Sequence, residues 1–446
     1  MRLRFLGLLS ACLIGVMFFF AVSAASAVSA ASVSYDLSSA LKRADEANKD
    51  IEAARAELLG ARADQSGGLA GLLPRVYVSF DGRQQYSFKD KESHSDYVDQ
   101  TTKTFRGGVR QPLFDLQAFY RWRGSVLEKK RAADYLRYIR LKVLYDTERQ
   151  FFLYLRARQN VKSYQKAVER MQKQVESARA FYERQLKPRL HLLQVQTLLS
   201  KAESQLMQAR NQLGREENRL ISLLALPEQE RAEFIGSLSN TRIYPLGELA
   251  VYTAAALSRR TDIAIQKKDV EIRRQGERLA WSDFFPSVTL SAEGVRYEID
   301  YSDKRKDREH EYYTVGVNAS WNLFQGGASF YSLRSRKQKT RVALLRLEKL
   351  QEDVRVEVRD AYLRVRLYEE QIALGRTYLR EAEETWERVE RGYHLGVSTA
   401  TDLVDAARTL VDAEVELNVA LADYNIARAG LAYVCGEDRS GQEERP

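Results

Sequence analysis

Four segments of the chain alternate apolar and polar residues with a period of two, the pattern of a β-strand with one apolar face. The clearest runs from position 313 to 322, with its apolar set at Tyr313, Val315, Val317, Ala319 and Trp321. Another begins at Val288, and its apolar set moves by one residue after Ala292, which predicts either a bulge or a phase shift near Gly294. The other two strands lie in the first half, with apolar or small residues at Val76, Val78, Phe80, Phe105, Gly107 and Val109.

Each predicted strand has about ten residues, the length at which a tilted strand crosses a bilayer. An apolar face beside a polar one suits lipid outside and water inside, although a half-buried sheet of a soluble protein has the same pattern. Aromatic residues near the strand ends predict interfacial girdles: Tyr77, Tyr86, Tyr297, Tyr301, Tyr312, Tyr313 and Trp321. The charged segments 89–101 and 302–311 then predict loops outside the cell. Four strands are too few to close a barrel, so the pattern requires an oligomer.

Long stretches of the chain repeat apolar residues at alternating three- and four-residue spacings, which predicts coiled-coil helices. Positions 116 to 186 contain no proline and one glycine, Gly124, so we expect a helix of roughly 100 Å. A second helix returns after a break, and the second half of the chain repeats both. The predicted seam there comprises Val354, Val358, Ala361, Val365, Tyr368, Ile372, Gly375, Leu379, Ala382, Trp386, Val389 and Tyr393, then Leu403, Ala406, Leu410, Ala413, Leu417, Ala420 and Tyr424.

Three landmarks recur in the same order at a nearly constant distance, which indicates a tandem duplication. The segment 73–82 resembles 285–294 at an offset of 212, Pro112-Leu113-Phe114 resembles Asn322-Leu323-Phe324 at 210, and a helix break recurs at 211. We therefore predict repeats over residues 31–226 and 246–436, a linker over 227–245 and a tail over 437–446. Each repeat should begin with one helix, about 38–63 and 246–284, that ends before Pro74 or Pro286.

The chain begins with the pattern of a bacterial export signal: Arg2 and Arg4, an apolar run over 5–22 and small residues over 23–30. We predict a removable signal peptide over residues 1–30, cut after Ala24, Ala25 or Ala30. A permanent membrane anchor is one rival, and lipidation of Cys12 within Leu9-Ser10-Ala11-Cys12 is the other. Beyond the signal there is no run of 18 apolar residues and one cysteine, Cys435, so no intrachain disulfide is expected.

The formal net charge of +9 comes from acidic and basic residues mixed along the predicted helices. Such mixing is typical of a solvated helical surface, and no basic, aromatic-interleaved motif predicts nucleic-acid binding. The four histidines are scattered, and no phosphate-binding, metalloprotease or nucleophile motif occurs, so we predict no enzyme and no cofactor. A periplasmic coiled-coil adaptor remains a rival, but it would not need amphipathic strands.

The segment 391–406, which reads Arg-Gly-Tyr-His-Leu-Gly-Val-Ser-Thr-Ala-Thr-Asp-Leu-Val-Asp-Ala, resembles the periplasmic hairpin turn of TolC-like outer-membrane efflux proteins. The helix–proline–strand junctions and the segment 322–327 are similar to that family too. The resemblance implies a mainly α fold with membrane β: four strands per chain in an outer-membrane β-barrel, continuing into a coiled-coil helical barrel. It also implies a homotrimer in the Gram-negative outer membrane, with a periplasmic adaptor and an inner-membrane transporter as partners. The implied cargo is small molecules or, alternatively, secreted polypeptides.

The turn also makes physical sense by itself. Gly392 and Gly396 are suited to breaking a helix and adopting positive φ, and Ser398 or Thr399 can cap the next helix. Asp402 then lies in its first turns, where the helix dipole favours an anion. The resemblance implies a second role, because Asp402 and Asp405 match the family's acidic channel entrance and share one helix face.

The equivalent turn of the first repeat differs. Gln185 stands in place of a glycine, Pro188 breaks the helix, and His191 occupies the position equivalent to Asp402. In the family an acid at that position can latch the closed channel to the residue that matches Tyr393. Here His191 is expected either to bond Tyr393 in a pH-sensitive latch or to be a plain exposed histidine. Both turns are the expected docking site for the adaptor.

Overall fold

The computed structural model describes residues 33–87, 98–227, 232–239, 241–301 and 306–437. The predicted signal peptide, Cys12 and the tail beyond residue 437 lie outside these ranges, as do residues 89–97 and 302–305 of the two predicted outer loops. The loop prediction is wrong for residues 98–101 and 308–311, which belong to strands. Among the described helices, none contains a stretch that is both long and apolar enough to cross a membrane.

The chain forms eight α-helices and six β-strands within these ranges. In chain order they are β1 (Val33–Tyr35), α1 (Leu37–Ala47), α2 (Lys49–Ala70), β2 (Arg75–Ser87), β3 (Val98–Phe114), α3 (Leu116–Glu183), α4 (Arg189–Leu223), β4 (Ala232–Phe234), α5 (Leu249–Arg259), α6 (Thr261–Trp281), β5 (Ser287–Tyr301), β6 (Arg308–Ser320), α7 (Ala328–Leu395) and α8 (Ala400–Val434). A short 3-10 helix, Ser282–Phe284, joins α6 to β5.

The two halves of the chain repeat the same order of elements. The long helices α3 and α7 each have 68 residues, and the returning helices α4 and α8 each have 35. At 1.5 Å per residue, each long helix spans roughly 100 Å. Each returning helix pairs with only part of its long partner, and α2 or α6 packs along the remainder. Two helices stacked end to end therefore accompany each long helix.

The prediction of one helix at the start of each repeat is wrong, because each is split in two. In the first repeat, Asn48 adopts an extended conformation, caps α2 through the amide of Asp50 and donates to the carbonyl of Leu223 at 2.9 Å. In the second, Arg260 breaks the helix and pairs with Asp262 and Glu357. Contacts with distant segments therefore set both breaks.

The four strands predicted to lie in a membrane form one antiparallel sheet in the order β2-β3-β5-β6. The repeats are thus joined edge to edge through β3 and β5, and β2 and β6 are the two free edges. Of the two alternatives predicted near Gly294, the structure shows a phase shift and not a bulge, because β5 pairs with both neighbours there without a register shift. The irregularity instead lies in β3, between Pro112 and Phe114.

The unbroken register means that the apolar surface changes face along β5. Near the helices, one face carries Val76, Val78, Phe80, Val109, Leu290, Val315 and Val317, whereas the same face of the distal half carries Lys103, Arg296, Glu298, Glu309 and Glu311. Val295, Tyr297 and Ile299 lie on the opposite face. The apolar band covers about seven residues, or roughly 23 Å of strand, close to the apolar height of a membrane barrel.

Part of the predicted aromatic girdle is therefore wrong. The register puts Tyr77, Tyr297, Tyr301 and Tyr312 on the face opposite to the apolar band. Exposed aromatic side chains do collect where the sheet joins the helices: Trp281, Phe284, Trp321, Phe324, Phe330 and Tyr331. This junction is where aromatic side chains of a membrane barrel meet the interface.

The largest core lies halfway along the helices, around the segment predicted as a linker. Strands β1 and β4 pair in parallel, and Phe234 is fully buried against Tyr35, Phe151 and Tyr154. A second core lies at the far tip of the helices, and a third lies between α5 and α7. Most of the predicted seam is buried, including Val354, Val358, Val365, Ile372, Leu403 and Tyr424.

Candidate functional site

The tip of the second repeat is a tight turn that depends on two glycines. Gly396 ends α7 with φ of +82°, and the amides of Val397 and Ser398 donate to the carbonyl of Gly392 at 2.8 and 3.1 Å. Gly392 does not adopt the positive φ predicted for it, because it lies within α7. A Cβ at Gly392 would collide with the hydroxyl of Ser398. Gly396 therefore supplies the backbone conformation, and Gly392 supplies the space.

Thr399 starts the returning helix α8 through a capping box. Its hydroxyl accepts from the amide of Asp402 at 3.2 Å, and the Asp402 carboxylate accepts from the amide of Thr399 at 2.8 Å. The Thr399 hydroxyl also donates to that carboxylate at 2.7 Å. These hydrogen bonds lower the pKa of Asp402 below its usual value, and the bond from the Thr399 hydroxyl has the largest effect. Of the two predicted capping residues, Thr399 therefore makes the cap and Ser398 does not.

Asp402 and Asp405 are both exposed on the same end of α8. The buried residues between and beside them, Ala400, Leu403 and Ala406, face the tip core. The two carboxylates thus project from the protein side by side, as the spacing of three residues predicts. Asp402 is shared with the helix cap, whereas the side chain of Asp405 makes no hydrogen bond or ion pair to any other described residue.

The tip of the first repeat makes the same reversal with different residues. Gln185 adopts φ of +58°, a left-handed conformation that is uncommon outside glycine. The amide of Leu186 donates to the carbonyl of Phe181 at 2.8 Å, and Pro188 stands at the start of α4 without a side-chain cap. Proline satisfies this position because its missing amide hydrogen would have had no helical partner.

Lys187 joins the two tips. Its ammonium donates to the backbone carbonyl of Tyr393 at 2.8 Å and lies 3.3 Å from the centroid of the Tyr393 ring. It is also 5.0 Å from the Phe181 ring, which meets Tyr393 edge-on. Burial lowers the pKa of Lys187. A single cation therefore bridges the first and second repeats through a carbonyl and two aromatic faces.

The predicted hydrogen bond between His191 and Tyr393 is not formed. The hydroxyl of Tyr393 is buried and has no hydrogen-bond partner, and Nδ1 of His191 is also buried and unpartnered. Tyr393 has no exposed surface at all, so its ring acts as a core side chain of the tip. Burial raises the pKa of Tyr393.

Further side-chain pairs tie the repeats together above the tip. The buried amide of Gln174 donates to Glu390 at 2.5 Å, and Arg170 pairs with Glu414 at 3.1 Å. The sequence pattern does not predict these pairs or the bridging role of Lys187. The two turns resemble each other at equivalent positions, whereas these contacts join positions that are not equivalent. Among the described residues, no cluster of three His, Cys, Asp or Glu side chains is arranged to hold a metal ion.

Comparison with known proteins agrees with this architecture. Residues 40–226 and 253–437 match the family described as outer membrane efflux protein. The chain is 25% identical over 411 residues to the alkaline protease secretion protein AprF of Pseudomonas aeruginosa, covering 88% of this chain and 82% of AprF. It is 29% identical over 176 residues to the outer membrane protein TolC of Vibrio cholerae, covering 37% and 38% of the two chains.

The fold is also that of solved outer-membrane channels. The crystal structure of the Campylobacter jejuni CmeC outer membrane channel superimposes with a TM-score of 0.76 at 16% identity, covering 90% of this chain and 85% of CmeC. The prediction of a mainly helical fold with a membrane β domain is therefore confirmed. The family match covers both repeats, and its members are channels of the Gram-negative outer membrane that extend into the periplasm. This chain belongs to the outer membrane efflux protein family.

Proposed function

We propose that three copies of this chain assemble into a trimeric outer-membrane channel, the exit duct of a tripartite pump that exports small molecules. The observation that carries the assembly is the sheet with two free edges, β2 and β6, each of 13 residues, and one apolar face. In lipid the unpaired backbone groups of such edges would cost several kcal/mol each. Pairing β6 of each copy with β2 of the next removes both edges and gives twelve strands.

An unpartnered seam on α7 supports the same assembly. Exposed apolar residues recur there at alternating spacings of seven and four: Val356, Leu363, Leu367, Leu374 and Tyr378. These spacings put all five residues on one face of the helix, a face that is usually buried, yet Leu374 is 71% exposed. A neighbouring copy would cover this stripe over about 22 residues, or roughly 33 Å of helix.

The tip supports docking of a periplasmic adaptor, which would connect the channel to an inner-membrane transporter. Both turns expose apolar side chains to water: Leu395 at 81% and Val397 at 83% in one, Leu186 and Leu190 in the other. Gly392, Gly396, Thr399 and Pro188 shape these turns, and Ser398 fills the space beside Gly392.

In a trimer, Asp402 and Asp405 would line the entrance with up to six carboxylates and favour cations. The double variant Asp402→Ala with Asp405→Ala should therefore change single-channel conductance and ion selectivity.

The assembly is tested with a matched pair of substitutions on neighbouring residues of β6. Val317 lies on the apolar face and Asn318 on the polar face. An arginine at the middle of the lipid-facing surface costs about 2–4 kcal/mol, whereas an arginine facing the lumen does not. Val317→Arg should reduce the heat-modifiable oligomer in detergent extracts, and Asn318→Arg should leave it intact. A reversed result would mean that the sheet faces have been assigned the wrong way round.

Protein secretion is the second candidate function. It is favoured by the match to AprF, which extends over most of that secretion protein. Deleting the gene distinguishes the two. Increased sensitivity to small toxic compounds supports efflux, and loss of a secreted polypeptide from the medium supports secretion. Complementation with Val317→Arg should fail in either case, and complementation with Asn318→Arg should succeed.

A further inference from the structure

The face of the four-stranded sheet opposite the apolar band carries more arginine than carboxylate. The register puts Arg75, Arg83, Arg106, Arg110 and Arg308 on this face, against Asp81 and Glu293. None of these five arginines forms an ion pair with another described residue, whereas Lys103 and Arg296 on the opposite face are both paired. The unpaired positive charge is therefore concentrated on the face opposite the apolar band, which faces away from lipid in the proposed trimer.

Arg75 and Arg110 are the most concentrated part of this charge. They stand directly opposite each other in β2 and β3, and the same row continues through Ser291 and Gly316. Like charges directly opposite each other destabilise a sheet, and no carboxylate in the row offsets them. This row lies at the end of the sheet that joins the helices. A pair that costs stability and has no carboxylate partner among the described residues suits an anion from outside.

The side chain of Arg110 is held in place by a built support. Its guanidinium carbon is 5.5 Å from the centroid of the Tyr77 ring, and the Tyr77 hydroxyl donates to Glu293 at 2.5 Å. Gly108 makes room for this ring, because a Cβ there would lie 3.0 Å from the Tyr77 hydroxyl and 2.8 Å from the carbonyl of Ala292. Glu293 is thus engaged by a phenol and not by an arginine. A guanidinium has five N–H donors, so contact with one phenol ring leaves donors for a carboxylate or phosphate.

We propose that Arg75 and Arg110 form an anion-binding collar at the base of the β domain, which favours cargo that carries carboxylate or phosphate groups. This rests on the proposed trimer, in which three copies would bring six arginines around one lumen. Bidentate arginine contacts recognise both anions, and the open lumen leaves them weak enough for release. The collar would select cargo at a point far from the acidic residues of the tip.

The test is block of single-channel current by inositol hexakisphosphate, a compact polyanion, added in turn to each side of a planar bilayer containing the purified mature protein. Wild-type channels should be blocked from the β-domain side. The double variant Arg75→Gln with Arg110→Gln should weaken that block at least about tenfold, because charge-assisted contacts are lost. Arg110→Lys, which keeps the charge, should retain most of it. Arg296→Gln, on the opposite face, is the matched control and should change nothing.

The outcomes separate the collar from the assembly. Absence of a heat-modifiable oligomer and of channels in the wild type would overturn the proposed function. Normal channels that the polyanion blocks equally in the wild type and the double variant would overturn the collar alone. If the double variant does not assemble, the single variants Arg75→Gln and Arg110→Gln carry the test, and unchanged block in both would refute it.

Discussion

Replacing Lys187 by methionine should loosen the contact between the two helical tips. The change keeps the apolar stem of the side chain and removes its ammonium, which bonds the carbonyl of Tyr393 at 2.8 Å and lies over the Tyr393 ring. A hydrogen bond from a charged group contributes about 1.5–3 kcal/mol, and a cation–π contact adds about 0.5–1 kcal/mol where the cation is partly solvated. Fixing a long flexible side chain and partly burying its charge, which lowers the pKa of Lys187, both offset part of this gain. The net loss should be about 2 kcal/mol, or roughly a thirtyfold larger population of the opened tip.

Native-state hydrogen exchange measures this loss directly. The amides of Val397 and Ser398 bond the carbonyl of Gly392 within the turn, so their exchange rates report local opening. In Lys187→Met they should exchange roughly thirtyfold faster, while amides in the middle of α8 stay unchanged. Arg189→Met is the control, because Arg189 is exposed and forms no ion pair with another described residue. Equal exchange in Lys187→Met and the wild type would refute the bridging role.

Tyr393→Phe tests whether the tip is held by the Lys187 bridge or by a hydrogen bond of the Tyr393 hydroxyl. The Tyr393 hydroxyl is buried without a partner, and the residue has no exposed surface that a neighbouring copy could reach. Removing an unsatisfied buried hydroxyl costs nothing in hydrogen bonding and relieves a desolvation penalty of about 1–3 kcal/mol. The variant should therefore protect the turn amides as well as the wild type or better. Faster exchange in Tyr393→Phe would mean that the hydroxyl has a partner in the closed tip.

Three further predictions follow from other parts of the fold. Thr399→Ala removes the hydroxyl of the capping box and should destabilise the start of α8 by about 1 kcal/mol in hydrogen exchange. Because the pKa of Asp402 is lowered, the stability that its carboxylate adds is present above the usual pKa of 3.8 and is lost as the pH falls through the lowered pKa. An acid titration that leaves the cap intact would contradict this. Phe234→Ala removes a fully buried ring from the central core and should lower the free energy of unfolding by about 3–5 kcal/mol in denaturant titrations, whereas Ile235→Ala at its exposed neighbour should cost far less. Burial raises the pKa of Cys435 to about 11, so a maleimide should label it only after unfolding, and rapid labelling of the native protein at neutral pH would show that this end of α8 is open.

The order and type of the main elements can be predicted from the sequence pattern alone. Seam positions such as Val354 and Tyr424 recur with the period of a coiled coil, and period-two alternation marks the strands, because burial on one side of a regular element depends only on local geometry. The duplication was equally visible, since each repeat must bury the same faces. The family resemblance of the second turn followed from Gly396 and Thr399, whose roles are fixed by backbone conformation and capping within a few residues.

Several features depend on contacts between distant segments and could not be predicted from local sequence. The breaks at Asn48 and Arg260 follow from bonds to Leu223 and Glu357, which no local propensity contains. The apolar phase shift at Gly294 is a change of sheet face and not a bulge, and only the register with β3 and β6 distinguishes the two. The bridge from Lys187 to Tyr393 and the facing arginines of β2 and β3 also depend on which segments lie side by side in the folded chain. Helix and strand periodicity specify which side of each element is buried, but the partner across the interface is chosen by how the whole chain folds back on itself.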